Sequence, residues 1–420
     1  MKIMIVGGGG REHAIIKKIS QNKNVEKIYA ICKNQALSSL AEVVEIDVKD
    51  FDNIKKFAKD TAIDYAIVSL DDPLVLGLVD ELQSIGIRCF GPEKKAAIIE
   101  GSKSFSKNLM KKYDIPTAKY EVFDDSDKAK AYLKTQSMPI VIKADGLALG
   151  KGVIIAQNLD EANDAIDQIM LEKKFGDSGA RVVIEEFLDG IEVTVLSFTD
   201  GKTLIPMVSS MDHKKVFDGD KGLNTGGMGV IAPNPYYTKD IAKQCMDEIF
   251  IKTMNAMNAE NRKFKGCLYF GLMLTKDGPK VIEYNCRFGD PEAQTVLELL
   301  ESDLLDIMMS ITDERLSEAE VKFSEKSACC VVMASDGYPV SYKKGYEITF
   351  DEKVKDYIFF AGVSKKNSKP VTDGGRVLGV VRTADSLKQA IDDTYETVKS
   401  IHFENAFYRK DIGKKALEVL

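Results

Sequence analysis

KIMIVGGGGREHAIIKKI, Lys2 to Ile19, holds a short apolar run, four glycines and a segment with an apolar stripe at Ala14, Ile15, Ile16 and Ile19. Strand, glycine turn and helix in that order open a βα unit. Similar units follow. Lys27–Cys32, Tyr65–Ser69 and Ile87–Phe90 read as strands, and Val75–Ile85 reads as a helix between the last two. Strands alternating with helices predict a doubly wound parallel sheet. Gly91-Pro92 punctuates its end, which sets a first βα domain at residues 1–100. Amides of a glycine turn ahead of a helix also make a ready anion site. As a dinucleotide fingerprint the stretch is poor: the sixth position from Gly7 is Glu12, and the strand ending near Cys32 has no acid after it. A phosphate or sugar phosphate remains open as the ligand, and so does a plain tight turn.

Beyond this domain, Ile140–Ala144, Val153–Ala156 and Val182–Ile184 read as strands, with a helix over Leu159–Met170. Strands resume at Glu192–Phe198, Leu204–Val208, Leu268–Leu274 and Lys280–Arg287, around a helix from Lys239 to about Met257. The chain starts afresh at Ala328–Met333, where glycines and β-branched residues predict a separate small α+β domain. The fold class is therefore α/β and α+β in several domains, divided as 1–100, 101–325 and 326–420.

Composition narrows the function. The chain has 420 residues, 58 Lys+Arg against 65 Asp+Glu, a net charge of −7 and only 3 His. That balance argues against a nucleic-acid partner, although a local pocket can be cationic on an acidic protein. None of the 7 cysteines forms a C-x-x-C pair, which points to reduced thiols. No apolar run approaches a membrane span, and no signal peptide precedes the first strand, so a cytoplasmic protein is expected.

Four further segments carry candidate chemistry. KADGLALGKG, Lys143 to Gly152, joins two strands through a glycine-rich, hairpin-like loop. It departs from a Walker A loop, yet its amides and lysines can fold over phosphates. VVIEEFLDGIEVTV, Val182 to Val195, ends a strand in Glu185-Glu186. These acids can be a solvated edge, which these residues alone favour, or the border of a nucleotide with Glu192 on its ribose. DHKKVFDGDKGLNTGGMG, Asp212 to Gly229, is long, polar and glycine-rich, the mark of a functional loop or of an exposed Ω-loop. KVIEYNCRFGDPEAQ, Lys280 to Gln294, is the most informative. Period-two alternation puts Val281, Glu283, Asn285 and Arg287 on one face. Glu283 and Asn285 offer oxygen ligands for Mg²⁺ or Mn²⁺, and Arg287 can stabilise a transferring phosphoryl or an acyl phosphate. A charged face on an edge strand is the alternative, and the apolar strands before it predict a central position.

Together these segments resemble the ATP-grasp superfamily and, within it, the phosphoribosylamine–glycine ligase family. The resemblance spans essentially the whole chain. It rests on GGGGREHA, EGSKSFSK, IPTA, KADGLALGKG, VIEEFLDGIEVT, DHK, LNTGGMG, NCRFGDPEAQ and GGRVLGV (Gly374 to Val380). It implies an ATP-grasp core at 101–325, with 120–190 as a mobile nucleotide-covering subdomain. It also implies an ATP-dependent ligase of de novo purine biosynthesis, joining glycine to 5-phosphoribosylamine through a glycyl phosphate. ATP and Mg²⁺ or Mn²⁺ are the expected cofactors, the partners are small molecules rather than nucleic acid or membrane, and a monomer is expected. By the same resemblance Lys103 and Lys143 would hold ATP phosphates, with Gly150, Lys151 and Gly152 in the lid loop. Glu185, Glu186, Phe187 and Leu188 would form the adenine hinge, Glu192 would contact ribose, and Lys215 and Asn224 would lie beside the nucleotide. Glu283 and Asn285 would hold the metal and Arg287 would face the acyl phosphate. Gly8, Gly9, Asp212, His213, Lys214, Thr225, Gly226 and Gly227 would receive glycine or the amine.

Two stretches depart from the family pattern. Cys32-Lys33-Asn34-Gln35-Ala36-Leu37 stands where the family has Pro-Gly-Asn-x-Gly-Thr, and Ser69-Leu70-Asp71-Asp72-Pro73-Leu74 where it has Gly-Pro-Glu-x-Pro-Leu. Both fall on the amine side, where Asp71 and Lys33 are the possible replacements. A paralogous ligase with an altered acceptor, and a catalytically silent nucleotide-binding protein, are the alternative readings.

Overall fold

The computed structural model describes residues 1–148 and 152–420. Its first five strands form one parallel sheet in the order Glu42–Val44, Lys27–Ile31, Lys2–Val6, Tyr65–Val68 and Arg88–Phe90. Ile3, Met4, Ile5 and Val6 are all fully buried, as a central strand covered on both faces requires. Strand order reverses between Lys2–Val6 and Tyr65–Val68. A crevice therefore opens at the carboxyl ends of these two strands, where Gly7–Gly10 and Ser69–Asp71 emerge. The helix expected over Val75–Ile85 is two helices, Asp71–Leu76 and Leu78–Ser84. Gly77, at φ +101°, breaks them by adopting a conformation that ends a helix and disfavours side chains.

Tyr120–Phe123, Val182–Glu186, Ile140–Ala144 and Val153–Ala156 make a separate antiparallel sheet. Its own core includes Ile142, Ile166 and Ile184. The helix read to Met170 keeps α geometry over Leu159–Ile166 and widens at Asp167–Leu171. A third sheet runs Leu204–Pro206, Ile191–Thr199, Gly266–Thr275 and Gly278–Asn285. Gly278–Asn285 is thus an edge strand rather than a central one, partly covered by Pro116, whose carbonyl accepts the Val281 N–H at 2.8 Å. Its pairing skips Ile282: Gly271 faces Glu283 and Leu272 faces Val281. That bulge inserts one residue and switches parity. Val281 consequently joins the core with Tyr284 and Cys286, while Glu283 and Asn285 look the other way.

The last sheet recruits strands from before residue 326. Met211–Asp212 and Gly229–Ala232 pair ahead of Ser327–Ser335, Arg376–Ala384 and Ile358–Phe360. Phe288 locks the first and third sheets together, with ring centroids 6.0 Å from Phe90 and 6.1 Å from Phe198.

All seven cysteines are free and buried. Burial pushes Cys89 and Cys329 up to about 12, so little thiolate exists at neutral pH. Native protein should release only a substoichiometric signal with a thiol reagent, and the full complement after denaturation. Prompt reaction of the native chain would contradict this packing.

Candidate active site

A cleft of about 1350 Å³ lies where the strand-order switch of the first sheet meets the three other sheets of four or more strands. One wall carries the cations. Lys103 opens the Lys103–Lys112 helix, and its Nζ donates to the Gly146 carbonyl at 2.8 Å. Lys107, four residues on and so on the same helix face, sits 2.9 Å from Glu185 Oε2. Lys143, at the end of Ile140–Ala144, sits 3.0 Å from Glu185 Oε1 and donates to the Ile282 carbonyl at 3.1 Å. Glu185 is thus held between two ammonium groups, and its side chain is turned away from solvent. Burial pushes its carboxyl up, but Lys143 and Lys107 outweigh it and hold it below the glutamate range. Asp145 ties the root of the glycine loop to the helix start, accepting from Ser104 N at 2.6 Å and Ser104 Oγ at 2.9 Å.

The nucleotide border is mixed. Glu186, Phe187 and Leu188 line the cleft, and Phe187 is 41% exposed there. Glu192 pairs with Lys214, which also reaches Glu283 at 3.5 Å. Burial lowers the Lys214 ammonium, but Glu192 and Glu283 outweigh it and keep it firmly charged. Lys215 and Asn224 lie opposite, on the short hairpin Lys215–Phe217 and Lys221–Asn224. Gly152 lines the same cleft, whereas Gly150 and Lys151 lie outside the described residues.

Glu283, Asn285 and Arg287 face the cleft together, though Arg287 lies past the strand end. Burial raises Glu283, but Lys214, Lys143, Lys103 and Arg287 together hold it below its ordinary range. Arg287 is anchored by Glu100 at 3.0 Å and donates to Asn285 Oδ1 at 3.3 Å. Glu100 also accepts the Cys286 N–H at 2.7 Å. Among the described residues no cluster of three His, Cys, Asp or Glu could cage a metal. Two oxygen donors on one strand face still fit a hard cation such as Mg²⁺, which keeps waters and takes phosphate oxygens as its other ligands.

The amine side departs from expectation in detail. Gly9 lines the cleft, but its N–H already donates to Glu12 Oε2 at 2.8 Å, and Arg11 N donates to Asp290 Oδ2 at 3.4 Å. Two carboxylates of the chain itself therefore occupy the helix N-terminus. Gly8 packs against Cys32, so close that a Cβ would lie 2.6 Å from its side chain. Asp71 faces the cleft near Arg287 and Arg11, and those cations hold it ionised against its burial. Lys33 is exposed and takes no part in the lining. His213 has both ring nitrogens engaged, at 3.1 Å from the Gly229 carbonyl and 3.1 Å from Gly413 N. Burial, chiefly, lowers it to about 4, so it stays neutral. Asp212 Oδ1 is buried without a hydrogen-bond partner beside Gly227, whose φ of +116° carries the chain past it. Thr225 donates to the Lys214 carbonyl at 2.8 Å, and Arg376 donates to the Gly226 carbonyl at 2.7 Å.

Lys107, Glu100, Asp145 and Glu292 are among the cleft residues and anchors that the motifs do not mark, and Arg376 and Arg409 line the cleft as well. Spacing could have found Lys107, since it repeats Lys103 one helical turn later. Glu292 is buried and accepts from Tyr269 at 3.0 Å, a contact set by tertiary approach alone.

Residues 1–100, 101–293 and 328–415 match the N, ATP-grasp (A) and C domains of phosphoribosylglycinamide synthetase. The chain is 49% identical to phosphoribosylamine–glycine ligase of Fusobacterium nucleatum, covering 98% of each chain. It is 48% identical to that of Halalkalibacterium halodurans, over 99% of this chain and 97% of the relative. The crystal structure of phosphoribosylamine–glycine ligase from Thermotoga maritima superposes with a TM-score of 0.86 at 32% identity, covering 98% of this chain and 100% of that one. The chain belongs to the phosphoribosylglycinamide synthetase family.

Proposed function

We propose that this chain is an ATP-dependent ligase that joins glycine to 5-phosphoribosylamine in purine biosynthesis. The observation that carries the reading is the convergence of Glu283, Asn285 and Arg287 with Lys103, Lys143 and Lys214 on one cleft, in a chain 49% identical to such a ligase. A carboxylate oxygen of glycine attacks the γ-phosphorus of ATP, the bond to the bridging oxygen breaks, and ADP leaves. The amine of phosphoribosylamine then attacks the carbonyl carbon of glycyl phosphate. Inorganic phosphate departs, and the nitrogen loses a proton as the amide forms. No nucleophilic Ser or Cys is needed, because positioning and electrostatics supply most of a phosphoryl transfer.

The residues divide that work. Lys103 and Lys143 neutralise the phosphate chain. Glu186 to Leu188 border the base, and Glu192 faces ribose through its pair with Lys214. Arg287 stabilises charge on the transferred phosphoryl, while Glu100 fixes its orientation. Glu283 and Asn285 would hold Mg²⁺ or Mn²⁺, which when bound neutralises phosphate charge. Asp71 serves the ribose hydroxyls of the amine. We read residues 1–100, 101–325 and 326–420 as its domains, with 120–190 as the nucleotide-covering part, and the chain as a monomer. Seven buried thiols suit the reducing cytoplasm.

ADP release measured with glycine alone, and with glycine plus phosphoribosylamine, tests the reading. Turnover dependent on both substrates is expected. Absence of any glycine-dependent ADP release would overturn it. Glycine-dependent release that phosphoribosylamine does not accelerate would favour the altered acceptor.

A further inference from the structure

We propose that Arg409, in the C-terminal domain, is a positioning residue for nucleotide binding, acting through the hairpin that presents Lys214, Lys215 and Asn224 to the cleft. The inference rests on the nucleotide reading of that cleft given above. The hairpin consists of two short strands, Lys215–Phe217 and Lys221–Asn224, paired only with each other. An isolated two-stranded hairpin is marginal in water, so its place over the cleft must come from outside.

Lys214 and Gly226 tie its two ends to Glu192 and Arg376, and residues 407–411 hold the hairpin between them. Arg409 is 1% exposed, and burying a guanidinium is costly unless every charge contact is made. Its NH1 donates to the Lys215 carbonyl and to Asp220 Oδ1, both at 3.0 Å. Its Nε and NH2 grip Asp411 in a two-point pair at 2.8 and 2.9 Å. Asp411 in turn accepts the Gly219 N–H at 2.8 Å, and Asp218 accepts the Lys410 N–H at 2.8 Å. Phe217 meets Phe407 edge-on at 5.7 Å between ring centroids. The carbonyl of Lys215 is thereby fixed by a domain remote in sequence, one residue after Lys214, whose ammonium bridges Glu192 and Glu283. Loosening Arg409 would free that hairpin, and with it the Lys214 contact to Glu192 and Glu283, while Lys103, Lys143 and Arg287 keep their own anchors.

The test compares Arg409→Met, Arg409→Lys and Asp220→Asn in the full chain. Affinity for a non-hydrolysable ATP analogue is measured alongside KM for ATP and for glycine. Arg409→Met should weaken analogue binding and raise the ATP KM by about tenfold or more, with a clearly smaller rise in the glycine KM, because Arg376 still holds Gly226. Arg409→Lys should recover part of the loss, because one donor can still reach the Lys215 carbonyl or Asp220. Asp220→Asn, at an exposed position that folding tolerates, should shift the ATP constants in the same direction by about two- to threefold. A merely structural role would depress kcat and shift both KM values together, and that outcome overturns the proposal. So does unchanged analogue affinity in folded Arg409→Met or, where that variant fails to fold, in Asp220→Asn. Wild-type protein that binds the analogue but shows no glycine-dependent turnover would defeat the ligase reading while leaving the clamp testable. Wild-type protein that binds no nucleotide would defeat both.

Discussion

Glu283→Gln is expected to reduce turnover by about 10² or more, the scale for losing one preorganised charge contact at a reacting centre. The side chain leaves an edge strand just after the bulge at Ile282, on the same face as Asn285, while the bulge takes Val281 to the core side. It sits among Lys214, Lys143, Lys103 and Arg287, which hold it ionised despite burial. Gln preserves shape and one oxygen but removes the negative charge. Lys214 keeps its partner Glu192, so the wall of the cleft should stay in place. The thermal midpoint should therefore move little, while kcat for glycine-dependent ADP release falls steeply. Raising the Mg²⁺ concentration should recover only part of the loss if metal affinity is the weakened quantity. Near-wild-type kcat in a folded variant would remove Glu283 from the proposed role.

How much of this was legible beforehand depends on which contacts are local. Four of the first sheet's five strands could be read from their apolar residues and from the glycines at the switch point; the edge strand Glu42–Val44 was missed, being three residues long, half-exposed and headed by an acid. Lys143, Glu283, Asn285 and Arg287 could be named because each sits at a strand end inside a recognisable motif. The assignment of Val281 to the Glu283 face failed at the bulge, since parity counting assumes an unbroken pleat. A Gly in the middle of an apolar helical pattern hid the break at Gly77, where φ is +101°. The amides around Gly9 looked open to anions, yet Glu12 and Asp290 already fill them, and Asp290 arrives from 279 residues away. Arg409 was illegible for the same reason: its partner carbonyl lies 194 residues away in the chain. Long-range anchors of this kind have no local signature, although they decide whether a legible side chain is correctly aimed.

Glu185 shows how such an anchor should respond to substitution. It lies between Lys107 and Lys143, two ammonium groups that would otherwise face each other in a dry wall. Glu185→Gln removes the carboxylate that both ammonium groups contact directly, and breaking a buried pair in this way costs about 3–5 kcal/mol. The variant should lose stability on that scale in urea unfolding at neutral pH. Its ATP KM should rise because Lys143 keeps only its contact to the Ile282 carbonyl. The pH dependence follows from Lys107, which burial, chiefly, lowers to about 8 while Glu185 pulls it upward. Its unfolded value is the ordinary lysine one, so between the two the unfolded chain holds more protons. Stability contributed by this group therefore rises with pH across that window, and the full penalty applies below it. Removing Glu185 deletes the upward pull and drives Lys107 lower still. The stability deficit of Glu185→Gln should then shrink as pH climbs from about 6 to about 9, as the buried ammonium discharges. Glu185 itself works at the opposite end: its carboxyl is held low by the lysines, so its contribution is complete at neutral pH and fades only as pH falls below the ordinary glutamate range. A deficit that stayed constant from pH about 6 to about 9 would mean that Lys107 keeps its proton without Glu185, and that the pair does not set the charge of this wall.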